Sequence, residues 1–169
     1  MSKKPFFDAV LLIDCWDNQW LNKEGAFNNR ESYGRIADFL SLVDVRLGLY
    51  SCGGLNQDIH PIFYDVFPEM HRVESILPFE KHVKTRSKIL LAGQTFGQCF
   101  HYNKLGCLNL IKKGYKVFTS PKLIITDHET SYVSRKKIIK KDSVVNWSKL
   151  PSGIYRANSI NNLSKDERN

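Results

Sequence analysis

Residues 8–14 read Asp-Ala-Val-Leu-Leu-Ile-Asp, with five uninterrupted apolar side chains, Ala9 to Ile13, held between two carboxylates. A run this short with no polar alternation fits a strand buried on both faces, the kind found in a parallel sheet covered by helices. Asp14 then stands at the carboxyl end of that strand, the edge where open α/β sheets gather their function. This stretch makes Val10 to Asp14 the expected central strand.

The neighbouring segments agree with that reading. Asn29 to Leu42 carries Tyr33, Ile36, Ala37 and Leu40 at spacings of three and four, which predicts an amphipathic helix capped by Asn28 or Asn29. Val45 to Tyr50 reads as a second strand, stopped by Ser51-Cys52-Gly53-Gly54. Leu55 to Pro78, with three prolines and many aromatics, reads as a long surface loop or lid, and Glu80 to Arg86 as a short helix. Lys88 to Ala92 (KILLA) is a third buried strand, flanking the first on the side opposite Val45 to Tyr50. Gly93 to Gln98 is a strand-to-helix turn, and a helix from Cys99 to about Lys113 ends at Gly114 before the strand Tyr115 to Thr119. Leu123 to Thr126 is a further short strand, and Asp142 to Trp147 is expected on the rim. Strands alternating with helices in this order predict parallel strands joined by crossovers. The fold class is therefore α/β, three layers α-β-α around a mainly parallel, Rossmann-like sheet.

Length and composition bound the rest. A chain of 169 residues with 42% hydrophobic and 12% aromatic content suits one packed domain, since a chain near 150 residues hides roughly 70% of its unfolded surface. That domain is expected over 1–157, with 158–169 as a loose tail poor in apolar residues. The apolar run behind Lys3 and Lys4 is too short for an export signal or a membrane span, so no membrane partner is expected. Cysteines at 15, 52, 99 and 107 form no CxxC pair and no zinc-finger spacing, which points to reduced thiols and a cytoplasmic protein. The formal charge of +8 raises nucleic acid as a partner, most of all through Arg135 to Lys141 (RKKIIKK). A solvated basic surface explains the same run.

One constellation could carry chemistry. A cysteine opening a helix faces unpaired backbone N–H groups, which favour the thiolate and can hold an oxyanion. Asp14, at the end of a neighbouring strand, could take or return its proton. The same residue types also occur as a buried core cysteine and a strand-end turn former.

Two motifs then resemble the isochorismatase-like cysteine hydrolases. Val10 to Trp20 (VLLIDCWDNQW) is similar to their first strand and signature, and Gly93 to Cys99 (GQTFGQC) is similar to their G-x-x-T-x-x-C turn, with Thr at 95 instead of 96. Gly106 and Gly114 in the following segment resemble a nicotinamidase-related subgroup. The resemblance covers roughly Ala9 to Thr119 and implies the fold of that family. It implies Asp14 as the catalytic acid, Cys99 as the nucleophile, and the amides of Thr95 and Cys99 as the oxyanion hole. It also implies a cis peptide at Gln94-Thr95 and a catalytic lysine between the second strand and the cysteine turn. No lysine occurs from Leu55 to Glu80, so that lysine falls on Lys81, with Lys84 as the other choice and Arg72, His71 or His82 as further cations. Trp16, Trp20 and Phe96 would line a pocket for a small-molecule substrate. No cofactor is expected. A divalent metal held in part by Asp58 and His60, an Asp-x-His pair like that of metal-binding nicotinamidases, is the alternative. The function implied is hydrolysis of an amide or related C–N bond of a small molecule, by a protein expected to form a homo-oligomer. The rivals are an inactive descendant serving in binding or assembly, and a basic nucleic-acid-associated protein.

Overall fold

In the computed structural model, the described residues are 6–16, 27–28, 30–52, 58–94, 99–125, 131–134, 137–139 and 155–156. For the short strands at 27–28, 131–134, 137–139 and 155–156 the description is of the backbone. In chain order the elements are β1 (Phe6–Phe7), β2 (Ala9–Ile13), β3 (Phe27–Asn28), α1 (Arg30–Leu40), β4 (Asp44–Val45), β5 (Gly48–Ser51), β6 (Met70–Arg72), α2 (Ile76–His82), β7 (Lys88–Gln94), α3 (Cys99–Tyr102), α4 (Cys107–Lys112), β8 (Lys116–Thr119), β9 (Ile124–Ile125), β10 (Ser131–Ser134), β11 (Lys137–Ile139) and β12 (Tyr155–Arg156).

The main sheet runs β12-β8-β7-β2-β5-β6, and β9 extends the pairing of β7. Every pair in it is parallel. As the apolar run 9–13 predicts, β2 is central: Leu11 lies opposite Leu49 of β5 on one side and Leu91 of β7 on the other. All five β2 side chains have zero exposure, and burying one the size of Val10, Leu11, Leu12 or Ile13 stabilises by about 1.5–3 kcal/mol. They serve two cores. Val10, Leu12, Leu90, Ala92 and Phe118 face one side, where Tyr33, Ile36, Ala37 and Leu40 of α1 cover them. Ala9, Leu11, Ile13, Ile89, Leu91 and Val117 face the other, covered by Phe79 of α2, Phe100 of α3 and Leu110 of α4. A separate antiparallel ladder runs β11-β10-β3.

Several expected boundaries move. The second strand divides, because Asp44 and Val45 pair with β1 while only Gly48 to Ser51 join the main sheet. The segment read as one long loop contributes an edge strand, β6, whose side chains are partly to fully exposed and so carry no apolar periodicity. The helix expected at Glu80 to Arg86 starts earlier, at Ile76 behind Ser75, with Pro78 within its first turn where a missing N–H costs little. The long helix expected from Cys99 to Lys113 is broken into α3 and α4. There Asn103 Oδ1 accepts from the Leu105 amide at 3.0 Å, and a Cβ at Gly106 would lie 2.7 Å from the His101 carbonyl oxygen. Within the basic run 135–141, residues 137–139 form β11; the rim segment 142–147 and the tail 158–169 lie outside the described residues.

Candidate active site

β2, β5 and β7 lie side by side, so their carboxyl ends bring Asp14, Cys52 and Gln94 to one edge of the sheet. Asp14 is 2% exposed with φ of 51°, a left-handed conformation that aspartate tolerates better than most residues. Its backbone is held at both ends: the amide donates to Ser51 O at 2.8 Å, and the carbonyl accepts a short hydrogen bond from Gln94 Nε2. Gln94 Nε2 also approaches the Tyr33 hydroxyl at 3.2 Å, tying β7 to α1 beneath the site. Gly93 has φ of 118°, and a Cβ there would collide with Ile13 O, so β2 and β7 approach more closely than a side chain permits.

Cys99 is the first residue of α3 and is partly exposed, while Cys15, Cys52 and Cys107 are buried. The Asp14 side chain stands close enough to act on its thiol. Burial pushes the Cys99 thiol up to about 11, and the hydrogen bond to Asp14 and that carboxylate's charge push the same way against its own backbone amide. At neutral pH Cys99 is therefore a neutral thiol near a carboxylate, in contrast to the thiolate expected at a helix start. The short helix explains the difference in part, because four residues sum to a small dipole.

Cys52 is pushed up to about 12 by burial and by Asp14, with Arg72 opposing. Cys15 is raised well above the ordinary thiol range, first by burial and then by Cys52 and Asp14. Cys107, at the start of α4, is pushed up to about 12 by burial.

The other expected site residues distribute unevenly. Lys81 is exposed in the last turn of α2. That end of α2 faces the approach to β8, where Lys113 lies 4.0 Å from Glu80 and the Tyr115 hydroxyl donates to Val83 O at 2.9 Å. No lysine is among the charges that shift the Cys99 thiol. Lys84 is likewise exposed. Arg72 is the nearby cation that sequence reasoning could not assign: it donates to Cys52 O at 3.4 Å and pairs with Glu74 at 2.8 Å. His71 and His82 stack on each other at 5.2 Å between centroids.

Trp16 forms an antiparallel bridge with Ile59 and packs on the first core. Its indole Nε1 is buried without an acceptor among the described residues. Trp20, Thr95 and Phe96 lie outside the described residues, and so does the bond between Gln94 and Thr95. Asp58 accepts from the Tyr50 hydroxyl at 2.8 Å, the Ile59 amide at 2.8 Å and the Tyr64 hydroxyl at 3.3 Å. Burial and the hydrogen bond to Asp58 raise the Tyr50 phenol. His60 Nδ1 accepts from the Ile62 amide at 3.2 Å, capping a one-turn helix at 61–63. The two residues of the Asp-x-His pair thus serve local structure, and among the described residues no three His, Cys, Asp or Glu side chains are grouped to hold a metal ion. Sequence reasoning missed Gln94, Tyr33 and Ser51. Gln94 left one signal, a polar residue ending the apolar run KILLAGQ.

Among the described residues no helix is long and apolar enough to cross a membrane. Comparison of the chain with protein-family models finds no match, and comparisons with curated proteins and with solved structures find none either.

Proposed function

We propose that the protein is a cysteine hydrolase of the isochorismatase-like type, acting on an amide or related C–N bond of a small molecule. The observation that carries this reading is the placement of Cys99, at the start of α3, within reach of the Asp14 side chain at the carboxyl edge of the central parallel strands. Because the thiol rests protonated, Asp14 acts as a general base at the moment of attack. The Cys99 sulfur bonds to the carbonyl carbon as its proton passes to Asp14. The C–N bond then breaks, and the leaving nitrogen takes that proton. Water, deprotonated by Asp14, attacks the thioester, releases the acid and restores the thiol.

The second reading is a binding or assembly protein that keeps this fold without turnover. A thiol raised to about 11 with no lysine acting on it favours that alternative.

Ammonia release from a panel of small aromatic and aliphatic primary amides, with mass spectrometry of the quenched protein, separates the two. The hydrolase reading expects ammonia from at least one amide, a thioester mapped to Cys99, and loss of both in Cys99→Ala. Ammonia release that persists undiminished in Cys99→Ala contradicts the mechanism, and none from the whole panel favours the binding protein.

A further inference from the structure

A cavity of about 410 Å³ lies between α2 and α4, lined by Ser75, Ile76, Lys104, Asn109, Lys112 and Lys113. None of these residues belongs to the set around Asp14. Three exposed lysines thus line one concavity. The described carboxylate paired with any of them is that of Glu80, 4.0 Å from Lys113, which leaves Lys104 and Lys112 without an ion-pair partner among the described residues.

The wall carrying these lysines is pinned. Lys104 sits in the link between α3 and α4, where Asn103 Oδ1 accepts from the Leu105 amide at 3.0 Å and the Gly106 amide donates to Asn103 O at 2.8 Å. Asn109 Nδ2 donates to the same Asn103 carbonyl at 3.0 Å, binding the first turn of α4 to that link. On the opposite wall, Ser75 makes no side-chain capping hydrogen bond to α2, and the half-buried Ile76 packs on the second core and supplies an apolar surface.

We propose that this cavity binds a small organic phosphate, with the phosphoryl group between Lys104 and Lys112 and its apolar substituent over Ile76. Lysine ammonium groups are point charges suited to phosphate oxygens. The volume falls among those of cavities that hold small organic ligands. The net charge of +8 favours the approach of anions to the molecule as a whole.

The proposal stands apart from the Cys99 chemistry. Phenyl phosphate is the probe, titrated at low ionic strength and followed by amide NMR shifts. The site predicts saturable shifts confined to Ser75, Ile76 and residues 104–113, affinity weakened at least about tenfold in Lys104→Gln/Lys112→Gln, and unchanged binding in Cys99→Ala. Both substituted lysines are exposed, and the spectrum of the variant verifies its fold. Absence of saturable shifts there, or equal affinity in the double variant, overturns the proposal. So does a short DNA duplex that shifts these residues when phenyl phosphate does not, which would make the surface a polyanion contact.

Discussion

Asp14 takes a backbone conformation that most side chains avoid, and three contacts around it explain how that conformation is held. Its amide and carbonyl are tied to Ser51 and Gln94, so the carboxylate is the part left to meet Cys99. Gln94 is 3% exposed and has little room for water in its place. Replacing it by leucine keeps most of the volume but leaves the Asp14 carbonyl without its donor, and an orphaned buried acceptor costs about 1–3 kcal/mol. Urea unfolding of Gln94→Leu should show a loss of that size, and wild-type stability would mean that the Gln94 bond does not hold Asp14. In the proposed mechanism the thiol starts protonated, so attack would depend on Asp14 as a proton acceptor and not on a preformed thiolate.

At the scale of elements, the site exists because β2 and β7 converge where they end. Gly93→Ala would force a methyl against Ile13 O in a left-handed conformation, and we expect it to destabilise by at least about 2 kcal/mol. A thermal melt unchanged in Gly93→Ala would contradict the close approach. The convergence was legible in part. The runs DAVLLI and KILLA carry their burial in plain composition, and the strand order around β2 follows from it. The α1 face was legible through Tyr33, Ile36, Ala37 and Leu40. What was not legible depends on partners distant in sequence. The side chains of β6 are half-exposed and look like loop, and the break between α3 and α4 is set by the Asn103 side chain and the packing of Gly106 on His101. The hydrogen bond from Gln94 to Asp14 spans 80 residues, and no local pattern encodes it. Lys81 comes late in sequence for the lysine that the resemblance implies, and it stands exposed in the last turn of α2.

At the scale of the whole molecule, the four cysteines report on both stability and function. Burial raises the thiols of Cys99 to about 11, of Cys52 and Cys107 to about 12, and of Cys15 as well, whereas an unfolded chain titrates its thiols near about 8.5. Folding therefore favours the protonated form. This contribution is complete below about pH 8.5 and is lost as the pH rises through the folded values. The urea midpoint should fall steadily between about pH 8.5 and pH 11, with the raised phenols of Tyr50, Tyr64 and Tyr115 adding to the loss above about pH 10. A flat midpoint across that range would contradict the burial of these groups. The most direct measurement is the rate of iodoacetamide modification at each of the four cysteines, mapped by mass spectrometry in the native protein and in Asp14→Asn at pH 8. Cys99 is the most exposed of the four and has the least raised thiol, so it should react first, at a rate that climbs with pH without a plateau below about 10. Removing the Asp14 charge should lower the Cys99 pKa and speed its alkylation several-fold. Modification of Cys15, Cys52 or Cys107 ahead of Cys99, or a Cys99 rate indifferent to Asp14→Asn, would contradict the pairing on which the proposed chemistry rests.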